Sequence, residues 1–357
     1  LHETLAALKS GKTPATSGAR GIAFSHGLGA CRTLDAPNVE DLDGEIPMPA
    51  YDLLPMGKYR AHNWHALGGI DRGGYASLYT TLGCPFHCSF CPIQAPFKSG
   101  ERALGMAPRV NSYRRWSPTR VVETLEILQR RGIRNVKLAD ELFCLNASHV
   151  HDICDEINAR GLALNIWAYS RTDTLKNLDL AKMKRAGFNW LAFGIESGSA
   201  TVRADSDKAL DGDDIRATLA KVRAAGIHVI ANFIYGLPGE TRETMQATLD
   251  LAVDLNTEFS NWYCAMAYPG SPLYAETLAN RPGDLPPTWA GYSQLGAEAL
   301  PLRTDALTSR EILAFRDAAF RTYHSSDRYL DMIRATFGEA GTMEVKRMLA
   351  AKLQRAV

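Results

Sequence analysis

Three cysteines within eight residues carry the strongest chemical signal in the chain: Cys84-Pro-Phe-His-Cys88-Ser-Phe-Cys91. Three thiolates this close can hold three irons of a [4Fe–4S] cluster. No fourth protein ligand stands nearby, which leaves one iron open to a small molecule. The competing chemistry is structural zinc, which wants four closed ligands, usually as two separated pairs. Here His87 lies inside the loop and Cys144 is 53 residues beyond Cys91. The chain has seven cysteines, an odd number and a poor disulfide framework for 357 residues. That usage fits a metal site in a reducing compartment. Polar residues that could serve such a site recur further on, at Asp140-Glu141, Ser170-Arg171, Glu196-Ser197 and the turn around Gly236. A carboxylate such as Glu141 suits an ammonium group, and Arg171 suits a carboxylate. Either could equally be a structural ion pair.

The elements that must position these residues are legible from glycine punctuation. Helical patterns stop at Gly132, Gly161, Gly187 and Gly226, spaced 29, 26 and 39 residues apart. Glycine just past a helix accepts a left-handed backbone without a Cβ clash. Each joint leads into a strand-like run: 135–140, 163–169, 189–195 and 228–236. Runs at 77–82 before the series and 260–268 after it bring the strands to six. Ser117 and Asn146 stand where they can cap two of the intervening helices. Repeated βα units of this length build a parallel sheet through right-handed crossovers. The expected fold class is α/β, a partial (βα)6 TIM-like barrel with an N-terminal linker and a C-terminal helical extension. Its chemistry would sit at the C-terminal ends of the strands. The expected division is 1–74 linker, 75–275 barrel and 276–357 extension, with extension helices near 309–323 and 341–355. In the linker, the short helical stretch 2–9 places Leu5 and Leu8 on one face. Ile46, Tyr51, Leu53 and Leu54 are too apolar for a free tether and are expected to pack.

The cysteine spacing CxxxCxxC, with Phe90 before the third cysteine, resembles the signature of the radical S-adenosylmethionine (SAM) enzymes. The resemblance covers about residues 75–275. It implies a [4Fe–4S] cluster on Cys84, Cys88 and Cys91, whose open iron chelates the amino and carboxylate groups of SAM. One electron from the cluster then gives a 5′-deoxyadenosyl radical, and a reducing donor such as flavodoxin or ferredoxin must supply that electron. The resemblance assigns Glu141 to the SAM amino group and Glu196 with Ser197 to the ribose-binding turn. It lays the strand ending at Gly236 against adenine, and Arg171 stands as a further cofactor contact. The turn Tyr268-Pro269-Gly270-Ser271-Pro272 resembles a family turn that is structural, with substrate contact. The linker text over 40–60 resembles the join between cobalamin-binding and radical SAM domains. That implies cobalamin, bound mainly by a preceding domain, with Leu1–Lys9 as the tail of that domain. An Asp-x-His-x-x-Gly cobalamin signature does not occur in this sequence. The implied reaction is cobalamin-dependent methylation of an unactivated carbon. A cobalamin-associated oxidative cyclase or rearrangement enzyme is the alternative, and a zinc-binding interaction module is the alternative of another class.

Composition narrows the rest. Forty Lys and Arg against 39 Asp and Glu leave a net charge of +1, which argues against a broad nucleic-acid surface. Residues 101–134 carry eight Arg and three Glu, a basic stretch that reads as a solvated face or a receiver of anionic groups. No run of 18 apolar residues occurs. A small-molecule substrate, no membrane, a cytoplasmic location and a chain that begins inside a longer protein are therefore expected. His62-x-x-His65 reads as packed histidines rather than a metal pair, and Cys144 and Cys154 as buried thiols.

Overall fold

The computed structural model describes residues 2–27, 29–33, 39–93, 113–208 and 210–356. Six parallel strands form one sheet in sequence order: β1 Tyr75–Leu78, β2 Asn135–Leu138, β3 Asn165–Ser170, β4 Phe188–Glu196, β5 His228–Tyr235 and β6 Phe259–Cys264. β1 and β6 are its two edges, so the barrel is partial, as six βα units imply. The helices between the strands are α1 Pro118–Arg130, α2 Ala147–Ala159, α3 Leu180–Arg185, α4 Gly212–Ala224 and α5 Arg242–Leu255. Ser117 caps α1 by accepting from the Arg120 N–H, and Asn146 caps α2 by accepting from the His149 N–H. After β6 come α6 Pro272–Asn280, α7 Ser309–His324 and α8 Asp327–Ala350.

Three expectations are corrected. The run 77–82 is not one strand. β1 ends at Leu78, and Thr81–Leu82 pairs antiparallel with Arg114–Arg115. The break falls where the Asp140 carboxylate captures the amides of Thr80 and Thr81. The helix expected near 341–355 is present as the second half of Asp327–Ala350, which breaks at Gly338 (φ +69°, ψ −171°) and ends at Ala350. The half before the break, capped by Ser326 accepting from the Tyr329 N–H, is not expected from the sequence. In the linker, only some apolar residues pack. Leu42 and Tyr51 are buried, whereas Leu53 and Leu54 are exposed. On the N-terminal helix His2–Lys9, Leu5 and Leu8 are exposed as well.

The core is continuous from the linker to α8. Trp64 closes the N-terminal end of the barrel, with ring contacts of 5.0 Å to Trp167, 5.5 Å to Trp190 and 5.9 Å to Phe259. The neighbouring histidines are packing residues. His65 Nε2 lies 3.0 Å from the Asn165 carbonyl, and His62 stacks on Trp64. Of the basic stretch 101–134, residues 101–112 lie outside the described residues.

Candidate functional site

The loop that carries the three cysteines is tied down at both ends. At its stem, Asp140 is fully buried and accepts from Thr80 N–H, from the Thr80 hydroxyl at 2.7 Å and from Thr81 N–H at 2.9 Å. Burial pushes the Asp140 carboxyl up to about 7, against the pull of those bonds. Glu141 accepts from the Gly83 N–H at 3.1 Å, one residue before Cys84. The two acids at the end of β2 therefore fix where the cysteine loop departs. At the far end, Ser89 N–H donates to the Ser206 carbonyl, and its own carbonyl accepts from Leu273 N–H at the start of α6. Phe90 wedges between two small apolar groups, one around Leu237 and one around Leu273. The Pro-Gly-Ser-Pro turn thus has a visible structural role, since Ser271 caps α6 and α6 holds the loop. Arg171 braces the loop from β3. Its guanidinium lies 3.8 Å over the Phe86 ring, its Nη1 is 3.9 Å from Cys88 Sγ, and Asp173 grips it at 2.9 and 3.0 Å.

Cys84, Cys88 and Cys91 all line one cavity of about 300 Å³ at the C-terminal ends of the strands. Phe86, Phe90, Tyr169, Glu196, Lys208 and Tyr263 line it with them. Burial pushes the Cys91 thiol up to about 11; Cys88 and Cys84 push it the same way, and Lys208 opposes them. Coordination to a metal reverses that balance, since a bound thiol is deprotonated outright. Among the described residues, no three His, Cys, Asp or Glu side chains converge on a single point as ligands of one metal ion would. A four-iron cluster needs no such point, because each thiolate takes a different iron. Three thiolates in one loop suit a cluster that keeps one iron open, whereas a closed structural zinc site wants four ligands.

The fourth strand delivers Glu196 by an unusual backbone. Its φ is +66°, in the left-handed region, and the β4–β5 register slips between Gly194 and Glu196. The carboxylate folds back over Gly194 and pairs with Lys208 at 2.5 Å, both side chains being over nine-tenths buried. A Cβ on Gly194 would collide with Glu196 Oε1 and Lys208 Nζ, so glycine makes room for the pair. Gly198 has the same character on the outer side, where a Cβ would strike the backbone of Ala247.

The structure thus gathers Cys84, Cys88, Cys91, Phe90, Glu141, Arg171 and Glu196 around one cavity. It leaves out Ser197 and Gly236. The Ser197 hydroxyl bonds Thr248 at 3.1 Å and Glu240 at 3.3 Å, away from the cavity. Gly236, at φ +83°, sits 2.9 Å from the Ile312 side chain for any added Cβ, so its constraint is packing against α7. Sequence reasoning missed Lys208, Tyr169 and Tyr263. Lys208 lies 12 residues past Glu196, beyond the short helix Ala200–Asp205, and no periodicity marks it.

Residues 78–252 match the family model of the radical SAM superfamily. That domain of the chain belongs to the superfamily. Membership implies a [4Fe–4S] cluster and SAM. This radical SAM chain is 33% identical over 245 residues to an "Uncharacterized methyltransferase" of Pyrococcus horikoshii, covering 68% of this chain and 49% of that protein. It is 27% identical over 268 residues to the anaerobic magnesium-protoporphyrin IX monomethyl ester cyclase of Cereibacter sphaeroides, covering 72% and 39%. In fold it is similar to the cobalamin-dependent SAM radical enzyme OxsB, with a TM-score of 0.61 at 15% identity over 95% of this chain and 53% of that one. The radical SAM chain spans about half or less of the length of these proteins. Among its described residues, no helix is long and apolar enough to cross a membrane.

A radical SAM site that depends on the Glu196–Lys208 pair should not tolerate a side chain at Gly194. Gly194→Ala is expected to push the pair apart and weaken SAM binding about tenfold or more, the loss of one charge-assisted hydrogen bond. Calorimetric titration of SAM into the reconstituted variant checks this, with unchanged iron content showing that the cysteine loop is intact.

Proposed function

We propose that Cys84, Cys88 and Cys91 hold three irons of a [4Fe–4S] cluster and leave the fourth to SAM. The chain would be the radical-forming part of a cobalamin-dependent methyltransferase that acts on an unactivated carbon. The observation that carries the reading is the single cavity that joins the three cysteines to the Glu196–Lys208 pair at the strand ends. When bound, the cluster supplies one electron to the sulfonium of SAM, which cleaves to a 5′-deoxyadenosyl radical.

The chain's own residues bind and orient. Glu196, held in place by Lys208, accepts from the ribose hydroxyls of SAM. Glu141 offers a carboxylate on the cysteine side, and Tyr169 and Tyr263 wall the radical off from water. Arg171 and Phe90 keep the cysteine loop against that wall. The electron comes from a low-potential donor such as flavodoxin or ferredoxin, and the cytoplasm keeps the thiols reduced.

Methyl transfer is supported by the methyltransferase relative, the more similar of the two enzymes compared. Cobalamin is supported by the linker resemblance and by the OxsB-like fold. We assign its binding to the whole protein and to no residue of this chain. The cyclase relative favours a second reading, ring closure without methylation. The family match weighs against the zinc module.

The test uses the complete protein, anaerobic, with reductant, SAM and a candidate small-molecule substrate. Product methylation and S-adenosylhomocysteine release are expected only with methylcobalamin present, while 5′-deoxyadenosine forms with or without it. Methylation by protein proven free of cobalamin would overturn the subclass. Ring closure with no S-adenosylhomocysteine would favour the cyclase.

A further inference from the structure

Below the cysteine cavity, the inside of the half-barrel holds a cation that the proposed cofactor chemistry does not use. Strand register sets Ser77, Lys137, Trp167 and Trp190 side by side across β1 to β4. These positions face inward, because Trp64 touches Trp167 and Trp190 and also reaches Phe259 on the opposite edge strand. Lys137 rises from this row. Its Nζ lies 4.8 Å from the Trp167 ring centre and 5.3 Å from that of Tyr169. Tyr169 is itself part of the cavity wall. The ammonium therefore stands at the boundary between the cavity and the Trp64 floor.

Lys137 is half-buried, and among the described residues no carboxylate pairs with it and no hydrogen bond fixes it. Ring faces offset part of the cost of burying an ammonium, but they do not neutralise it. Burial lowers the Lys137 pKa, with no acid nearby to raise it again. The surroundings add positive charge rather than remove it. The pKa of His62 is lowered by burial first and then by Lys137 and Arg72, which places both cations within reach of one ring. A half-buried, unpaired cation between aromatic planes is a site poised for an anion that brings an apolar body with it.

We propose that Lys137, backed by the buried Trp167, binds an oxyanion of the substrate, a carboxylate or a phosphate ester, whose apolar body lies against Tyr169 on the cavity side. This rests on the reading of the barrel cavity as the reaction chamber and adds the chemical class of its substrate. Lys137 would then fix which carbon of the substrate faces the cysteine cavity.

The experiment titrates the reconstituted 357-residue chain with benzoate, phenyl phosphate and benzamide, followed by ligand-observed NMR. At least one of the two anions should bind the wild type about tenfold or more tightly than neutral benzamide. Benzoate preference marks a carboxylate substrate, and phenyl phosphate preference a phosphate ester. Lys137→Met should lose that preference, and Lys137→Arg should keep it with an unchanged circular dichroism spectrum, which separates lost charge from lost fold. Equal binding of the anion by Lys137→Met, or equal binding of benzamide and both anions by the wild type, overturns the proposal. Iron content is measured on the same samples. A chain that takes up no iron yet prefers anions through Lys137 would overturn the cluster reading and leave this one standing.

Discussion

Replacing any one of Cys84, Cys88 or Cys91 by alanine is expected to remove the iron–sulfur cluster and all cleavage of SAM. The parent chain should take up about four irons after anaerobic reconstitution. Under that assignment each thiolate would hold a separate iron, so no remaining ligand could substitute for a missing one. The loop itself should survive, because its anchors lie elsewhere: Asp140 and Glu141 at the stem, Phe90 and the Ser89 backbone at the far end. Loss of iron without loss of fold is therefore the expected signature. Cys154→Ala is the control. That thiol is buried between α2 and the sheet core, and its removal trades a small apolar group for a smaller one. Iron, sulfide and 5′-deoxyadenosine per chain are the readouts. Full iron in any of the three loop variants, or stoichiometric zinc with no iron in the parent, would refute the assignment.

The parts of this molecule legible in sequence are those whose cause is local. Helix stops at Gly132, Gly161, Gly187 and Gly226 and caps at Ser117 and Asn146 act within a few residues. Strands β2 to β5 accordingly lie within two or three residues of where the pattern places them. The cysteine spacing is local as well. What was not legible depends on contacts across the chain. β1 breaks because Asp140, 60 residues away, takes the donors of Thr80 and Thr81. Ser197 follows Glu196 in a turn that reads as one unit, yet Glu196 adopts a left-handed φ and Ser197 turns outward to Thr248 on α5. The apolar character of Leu53 and Leu54 is real, but no described element covers them. Lys208 carries no pattern, and only the fold brings it to Glu196. The same holds for Lys137, an ordinary strand lysine until register sets it beside Trp167.

The Glu196–Lys208 pair should separate two effects that a single substitution confounds. Its side chains are 8% and 7% exposed, so solvent screens the pair little. Removing one partner of a buried pair costs about 3–5 kcal/mol, because the other charge stays buried and alone. Lys208→Met strands the carboxylate and should lower thermal stability by that mechanism. Replacing both members, Glu196→Gln with Lys208→Met, leaves no lone charge and should recover most of the stability. SAM affinity should not recover with it. A glutamine at 196 cannot offer the charge-assisted acceptors that ribose hydroxyls need, each worth about 1.5–3 kcal/mol. Glu196→Ala should likewise bind SAM about ten- to hundredfold more weakly. The expected result is a double variant with near-parental melting temperature, full iron and weak SAM binding. A double variant that recovers both stability and affinity would mean that the pair only shapes the bulge at the end of β4, and that ribose is held elsewhere.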